Sequence, residues 1–563
     1  MQLQVICKLA CISMVIVIFS SCSKPNTQGK LIPMNASVVI QMDGKSLSSK
    51  LSWDEIKQNP LFKEMHADSS WPATVKNLLD NPDNAGIDTK ADLLFFVLKD
   101  SAGGYVGFEG NVKDEATFKK FNQQITENGA ASEKDGVQYI SKSPVCVGWT
   151  KEKFVYIVDL PQMDELSKRM VRDSIDISSR STRDIGATCK SIFALKEDNS
   201  LAEDGKFTTL LKETGDVHIW VNSEELSKGG STASALAMVN MDKLLKGNIT
   251  AATLNFDNGK MTMKSISYAS EEMINLFKKY GGGKINEDMI RRMPGKDIVA
   301  VMALNFKPEA LRELIKMTGL DGLVNVGVEK LGFTTSDFIK ANKGDIFIGL
   351  SDLNMNPTGA YPGNTPGDAM PGMQQPTFNL VFSASIGDKD AFNKIVAAGK
   401  KLGQGFSADS SKLPVAYNLD AKYFVMSNTK QNVDQYLATA AGNFDFINKI
   451  GGEPFGGYVN FQSLLRSFES MATQDSAAKI AYDASLKMWD NAIWKGGNFA
   501  NGGIVQMAEI NLVDKTTNSL KQLNQYLAKF SELAKEKKHQ ETMSYDAPDA
   551  EKDVQASPPA PTK

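Results

Sequence analysis

Histidine is almost missing from this chain, with three in 563 residues. The commonest general base is therefore scarce, and no serine or cysteine motif accompanies any of the three to form a nucleophile–base pair. His539 lies in a polar C-terminal stretch, and His66 in "KEMHADSS" reads as a surface helix end. His218 alternates with Trp220 in "DVHIWVN", which places both on one face of a strand as packing residues. G-x-S-x-G, H-E-x-x-H, P-loop and G-x-G-x-x-G patterns are all absent. "YGGGKI" at Tyr280–Ile285 lacks P-loop spacing and reads as a helix end and linker. "NPDNAGIDTKAD" matches a calcium loop only at Asn81, Asp83, Gly86 and Asp92. Ala85 and the missing terminal Glu favour a turn. A net charge of -3 gives no broad attraction to nucleic acid. Beyond residue 20 no run approaches the roughly twenty apolar residues that span a bilayer. These absences leave no catalytic, cofactor-binding or metal-ligating residue to name, and predict no cofactor and no nucleic-acid partner.

The N-terminus is more informative. Lys8 is followed by the apolar run Leu9–Phe19, then Ser20, Ser21 and Cys22, then the polar "SKPNTQGK". Small residues before a cysteine fit the pocket of a lipoprotein signal peptidase, so residues 1–21 read as a signal peptide and Cys22 as the lipidation site. Phe19 stands where such lipoboxes usually carry Leu. Acyl chains of the palmitate kind add about 0.8 kcal/mol per buried CH₂, enough in a triacylated cysteine for stable anchoring. A tether over 22–30 follows. It lacks acidic residues, and Ser23 is not Asp. The expected location is the outer membrane, facing the periplasm. Of five cysteines, processing leaves Cys146 and Cys189, as a disulfide or as two buried thiols.

The rest of the chain repeats itself. "GFEGNVKDEATF" at Gly107–Phe118 and "VFSASIGDKDAF" at Val381–Phe392 share a strand, a turn, Asp, and Phe four residues later. Phe108 matches Phe382, Val112 matches Ile386 and Lys120 matches Lys394. Further echoes occur in the same order, among them "DLLFFVL" from Asp92 with "DIFIGL" from Asp345. We therefore read two homologous tandem halves, 31–285 and 286–535. Strand candidates come in adjacent pairs, such as Leu93–Leu98 with Tyr105–Val112, and Ala251–Phe256 with Lys260–Tyr268 across "DNG". Helices open at Ser52-x-x-Glu55, a capping box, and at Asp114, Pro308 and Asp388. After Asp388 the apolar stripe is Phe392, Ile395, Val396 and Leu402, with Asn393, Lys394, Lys400 and Lys401 facing away. The expected fold class is α+β, each half a mainly antiparallel sheet with helices packed against it.

Two segments break the symmetry. The short turn of the first half becomes Asp352–Pro376 in the second, a Pro/Gly-rich loop whose Met355, Tyr361, Met370 and Met373 mark it as a candidate contact surface. Residues 536–563 are polar and Pro/Ala-rich and read as a disordered tail.

"IPMNASVVIQMDGKSLSSKLSWDEI" from Ile32, "NPDNAGIDTKADLLFFV" from Asn81 and "LGFTTSDFIKANKGDIFIGLS" from Leu331 together resemble a Bacteroidota family of lipoproteins. That family is known as a domain of unknown function, of the 4836 type. The resemblance spans most of 30–535 and implies an envelope-anchored protein, with no activity to carry over. The expectation is a non-enzymatic binding or structural module, attached to the membrane by its lipid and partnered by an envelope protein or other envelope component. The alternatives are a hydrolase or carbohydrate-active enzyme using carboxylates, or a carrier of a hydrophobic ligand, which would need an apolar cavity.

Overall fold

The computed structural model describes residues 28–67, 73–100, 103–126, 129–160, 183–228, 244–355, 376–406, 415–438, 442–472 and 476–545. In chain order the first ten strands are β1 (Val38–Met42), β2 (Leu93–Leu98), β3 (Tyr105–Asn111), β4 (Ser132–Lys134), β5 (Val137–Lys142), β6 (Val145–Trp149), β7 (Lys153–Asp159), β8 (Val217–Asn222), β9 (Ile249–Asp257) and β10 (Lys260–Tyr268). The remaining eight are β11 (Ile298–Asn305), β12 (Asn342–Asn354), β13 (Thr377–Ile386), β14 (Ala416–Leu419), β15 (Tyr423–Ser427), β16 (Phe455–Asn460), β17 (Trp489–Ala500) and β18 (Gly503–Leu512). Among the described residues they form one 18-stranded sheet, all of whose neighbours run antiparallel.

The pairings give the spatial order 4-5-6-7-3-2-1-8-9-10-18-17-16-11-12-13-15-14. Read from its outer edge, 6-7-3-2-1-8-9-10 has the same order as 14-15-13-12-11-16-17-18. Among the described residues the β4–β5 hairpin has no counterpart in the second series. The two series meet at β10–β18, where Lys260 to Ser267 pair with Asn511 to Ile504.

Local chemistry explains the elements. Asn258-Gly259 closes the β9–β10 hairpin, with Gly259 at φ +67°. Ser52 and Glu55 form the expected capping box. Asp114 caps the Glu115–Ile125 helix through the Thr117 N–H at 2.7 Å, and Asp388 caps the Lys389–Phe406 helix through the Ala391 N–H at 2.8 Å. One large core lies on one face of the first series (Leu94, Phe96, Ile157, Phe207, Trp220) and another on the second (Phe347, Val425, Tyr436, Ile447, Ile493). Smaller clusters sit under the two capped helices. The Ser519–Tyr545 helix straps the series together. It meets the first through Lys521–Glu55 at 2.7 Å and Asn59–Asn524 at 2.9 Å, and the second through Tyr526 against Trp489 and Ser485.

One expectation needs correction. Residues 536–545 of the expected tail belong to the last helix, which runs on to Tyr545 because no proline or glycine interrupts it between 519 and 545. The rest of that segment, 546–563, lies outside the described residues. A backbone ladder closes the seam between the two series at β10–β18. The calcium-like segment is a turn, as expected. Asn81 caps a 3₁₀ turn at Pro82–Ala85, and Gly86 ends it at φ +70° with its carbonyl accepting from Lys113 and Asp114.

A Cβ on Gly86 would lie 2.5 Å from the Asp114 carbonyl oxygen and 2.6 Å from the Phe118 nitrogen, both backbone atoms that cannot yield. Gly86→Ala should therefore lower stability by about 2–4 kcal/mol. A urea midpoint unchanged from the parent would contradict this packing.

Candidate functional site

The β13–β15 end of the sheet carries an open apolar cavity of about 480 Å³. Its floor alternates correctly for one sheet face: Phe382 pairs with Met426 and Tyr417 in one row, and Ala384 with Phe424 in the next. The Lys389–Phe406 helix roofs it with Phe392, Ile395, Val396 and Gly399. Phe306, Phe338 and Asn342 close one end. Lys400 is exposed at the mouth, with its ammonium 5.2 Å from the Tyr417 ring centroid. The expected stripe on this helix is therefore right for Phe392, Ile395 and Val396 but wrong for Lys400, which bends to the cavity rim because an aromatic face attracts it.

The same place in the first series is filled. Phe118, Trp149 and Phe154 are fully buried there, with Phe118 5.7 Å from Trp149 and 5.0 Å from Phe154 between ring centroids. The Tyr156 hydroxyl donates to Asn122 at 2.7 Å, and Ile140 from β5 adds to the cluster. By strand register Tyr156 becomes Met426 and Trp149 becomes Leu419. Along the helix, the spacing set by Phe118 and Phe392 turns Asn122 into Val396 and Ile125 into Gly399. A glycine inside an 18-residue helix is disfavoured by about 1 kcal/mol relative to alanine, and a Cβ here would meet open space. These residue differences stand in the sequence, but only the register says that the positions share one face.

A polar cleft of about 390 Å³ lies elsewhere in the second series, with Asp297, Asp445, Asn460 and Asn491 in its lining beside the stacked rings of Phe446 and Tyr458. Asp297 accepts from Ser463 at 2.5 Å, and its own N–H is held by Asp352 at 2.9 Å. Among the described residues no group of three or more His, Cys, Asp or Glu could hold a metal ion, and no helix is long and apolar enough to cross a membrane.

Cys22, Tyr361, Met370 and Met373 lie outside the described residues. Met355 ends β12's extension with its N–H on the Ser467 carbonyl at 3.2 Å. Cys146 and Cys189 do not form the disulfide alternative: both are free and buried in the first core as small apolar groups. The thiols hydrogen-bond to each other, which together with burial holds Cys189 well above the usual thiol range. His218 is buried, with Nδ1 on Gln41 Oε1 and Nε2 on the Glu213 carbonyl at 2.9 Å. It lies in the sheet row that includes Glu109, Gln41, Thr253 and Lys264, along the border of the first core. Both ring nitrogens are thus committed to positioning the strand.

Glu109 is fully buried, and its Lys153 partner stands at 3.0 Å. Burial raises its carboxyl, against the opposing pull of Lys153. A raised carboxyl favours the folded state below the ordinary value of 4.5 and loses that contribution as pH climbs through the folded value. The stability of Glu109→Gln relative to the parent should therefore increase as pH is raised above 4.5. Urea unfolding of both proteins across that range checks it, and a pH-independent difference would contradict a raised Glu109.

Comparisons with known proteins add one assignment. No curated protein matches the chain. Two solved structures, crystal forms I and III of TP0453, are similar at 9% and 10% identity, each with a TM-score of 0.23. They cover 45% and 46% of this chain and 81% and 88% of their own. A family model described as a domain of unknown function (DUF4836) matches residues 29–362, more than half of the sequence. The chain belongs to that family.

Proposed function

We propose that this protein is a lipid-anchored, non-enzymatic envelope module that binds an apolar ligand in the cavity beneath the Lys389–Phe406 helix. The observation that carries the reading is the cavity itself, kept open where the matching site of the first series is packed with rings. An open, ring-lined cavity holds water against apolar surface, and a ligand displacing it would gain about 25 cal/mol per Å² covered. Volumes of roughly 300–1,000 Å³ with apolar walls and few polar groups are typical of small-molecule sites.

The shared strand order supports descent of both series from one duplicated α+β unit, 31–285 and 286–535, with the second copy diverging toward binding. Cys22 would tether the molecule to the periplasmic leaflet of the outer membrane. The carboxylate-enzyme alternative would have to use the cleft at Asp297 and Asp445, where Asp297 is already tied to Ser463 and the Asp352 turn.

Native mass spectrometry on protein purified from its own envelope should find an apolar small molecule retained. Gly399→Phe, which projects a ring into open space, should lose it while keeping the thermal melt. An empty parent protein would overturn the reading. Cys22→Ala should move the chain from the membrane to the soluble fraction, and protease added to intact cells should leave the parent uncut. Shaving by that protease would reverse the proposed orientation.

A further inference from the structure

We infer that the cavity takes a single-chain amphiphile with an anionic head, of the long-chain carboxylate type, with the head at Lys400. This rests on the cavity being the binding site, as proposed above. Size speaks for one chain. A methylene takes up about the volume of a liquid water, roughly 30 Å³, and the cavity measures about 480 Å³. That is room for about sixteen methylenes, and too little for the two tails of a phospholipid.

Charge speaks for the head. Two lining residues carry a polar side chain of their own besides the Tyr417 hydroxyl: Asn342 and Lys400. The Asn342 amide is used, donating to the Phe338 carbonyl at 2.7 Å. The nearby carboxylate of Asp337 is also used, paired with Lys394 at 2.8 Å. Among the described residues no carboxylate pairs with the Lys400 ammonium, and its contact is the face of Tyr417, 5.2 Å from the ring centroid. The ring holds the ammonium over the mouth and leaves its N–H groups free to donate. An anionic head there forms a charge-assisted hydrogen bond while its tail displaces water from the rings below. A neutral chain gains only the second of these.

The test uses the full chain, stripped of bound lipid, and measures displacement of a fluorescent polyene fatty acid by palmitate and by hexadecanol. Palmitate should bind about three- to tenfold more tightly than hexadecanol, a margin in keeping with a partly exposed ion pair. Lys400→Met should erase that margin, with palmitate falling to the affinity of hexadecanol. Gly399→Phe should abolish binding of both, with Met426→Trp as a second blocking variant and circular dichroism to show that each is folded. Equal affinities for the two chains in the parent would overturn the anionic head and leave the cavity reading standing. Binding of neither chain, or binding indifferent to both blocking variants, would overturn the cavity reading and this inference together.

Discussion

A backbone ladder between β10 and β18 makes one body of the whole molecule. Eight consecutive pairs, Lys260–Asn511 to Ser267–Ile504, turn what would be two exposed sheet edges into the middle of one sheet. Unpaired edge strands invite association with other chains, and pairing them with each other removes the hazard at both at once. The ladder also brings distant parts of the chain together. With β18 beside β10, the helix that follows β18 lies across the Ser52–Ala67 region, where Lys521 and Lys535 meet Glu55 and Glu64. Neither series is therefore free to move as a separate body without opening both a ladder and a helix contact.

The free edges that remain differ. β4 ends the first series as a three-residue strand, Ser132-Glu133-Lys134, short and charged. β14 ends the second with Tyr417 exposed on it and Val415 just before it. In the first series β5 and β4 extend the sheet past β6 and bring Ile140 over the aromatic cluster. Among the described residues the second series ends at β14, and residues 407–414, which lead into it, lie outside them. Within the described residues the difference rests on residue choice: Met426 stands where the first series has Tyr156, and Leu419 where it has Trp149.

Much of the plan is legible in the sequence. The capping residues Ser52, Asp114 and Asp388, the Asn258-Gly259 turn and the matched strand pairs all depend on contacts within a few residues, which sequence reports directly. The capped helices' anchors, Phe118 and Phe392, are equally legible because each follows its cap by one helical turn. Lys400 is the converse case. A period of 3.6 residues assigns it to the outer face, and only the long side chain's attraction to Tyr417, a residue on β14, brings it back to the rim. The state of Cys146 and Cys189 is not legible either, since spacing does not report whether two thiols meet in a core.

The α+β class, the recurring element order and the membership in a family without assigned activity all follow from the amino-acid order, because they rest on local periodicity, caps and turns. That the two series share one continuous sheet, and that one end of it is hollow, emerges only from the folded chain. Strand order, register and the filling of space depend on residues hundreds of positions apart, and a cavity is defined by which side chains fail to meet. No local pattern reports which side chains, brought together from distant strands, leave that space unfilled.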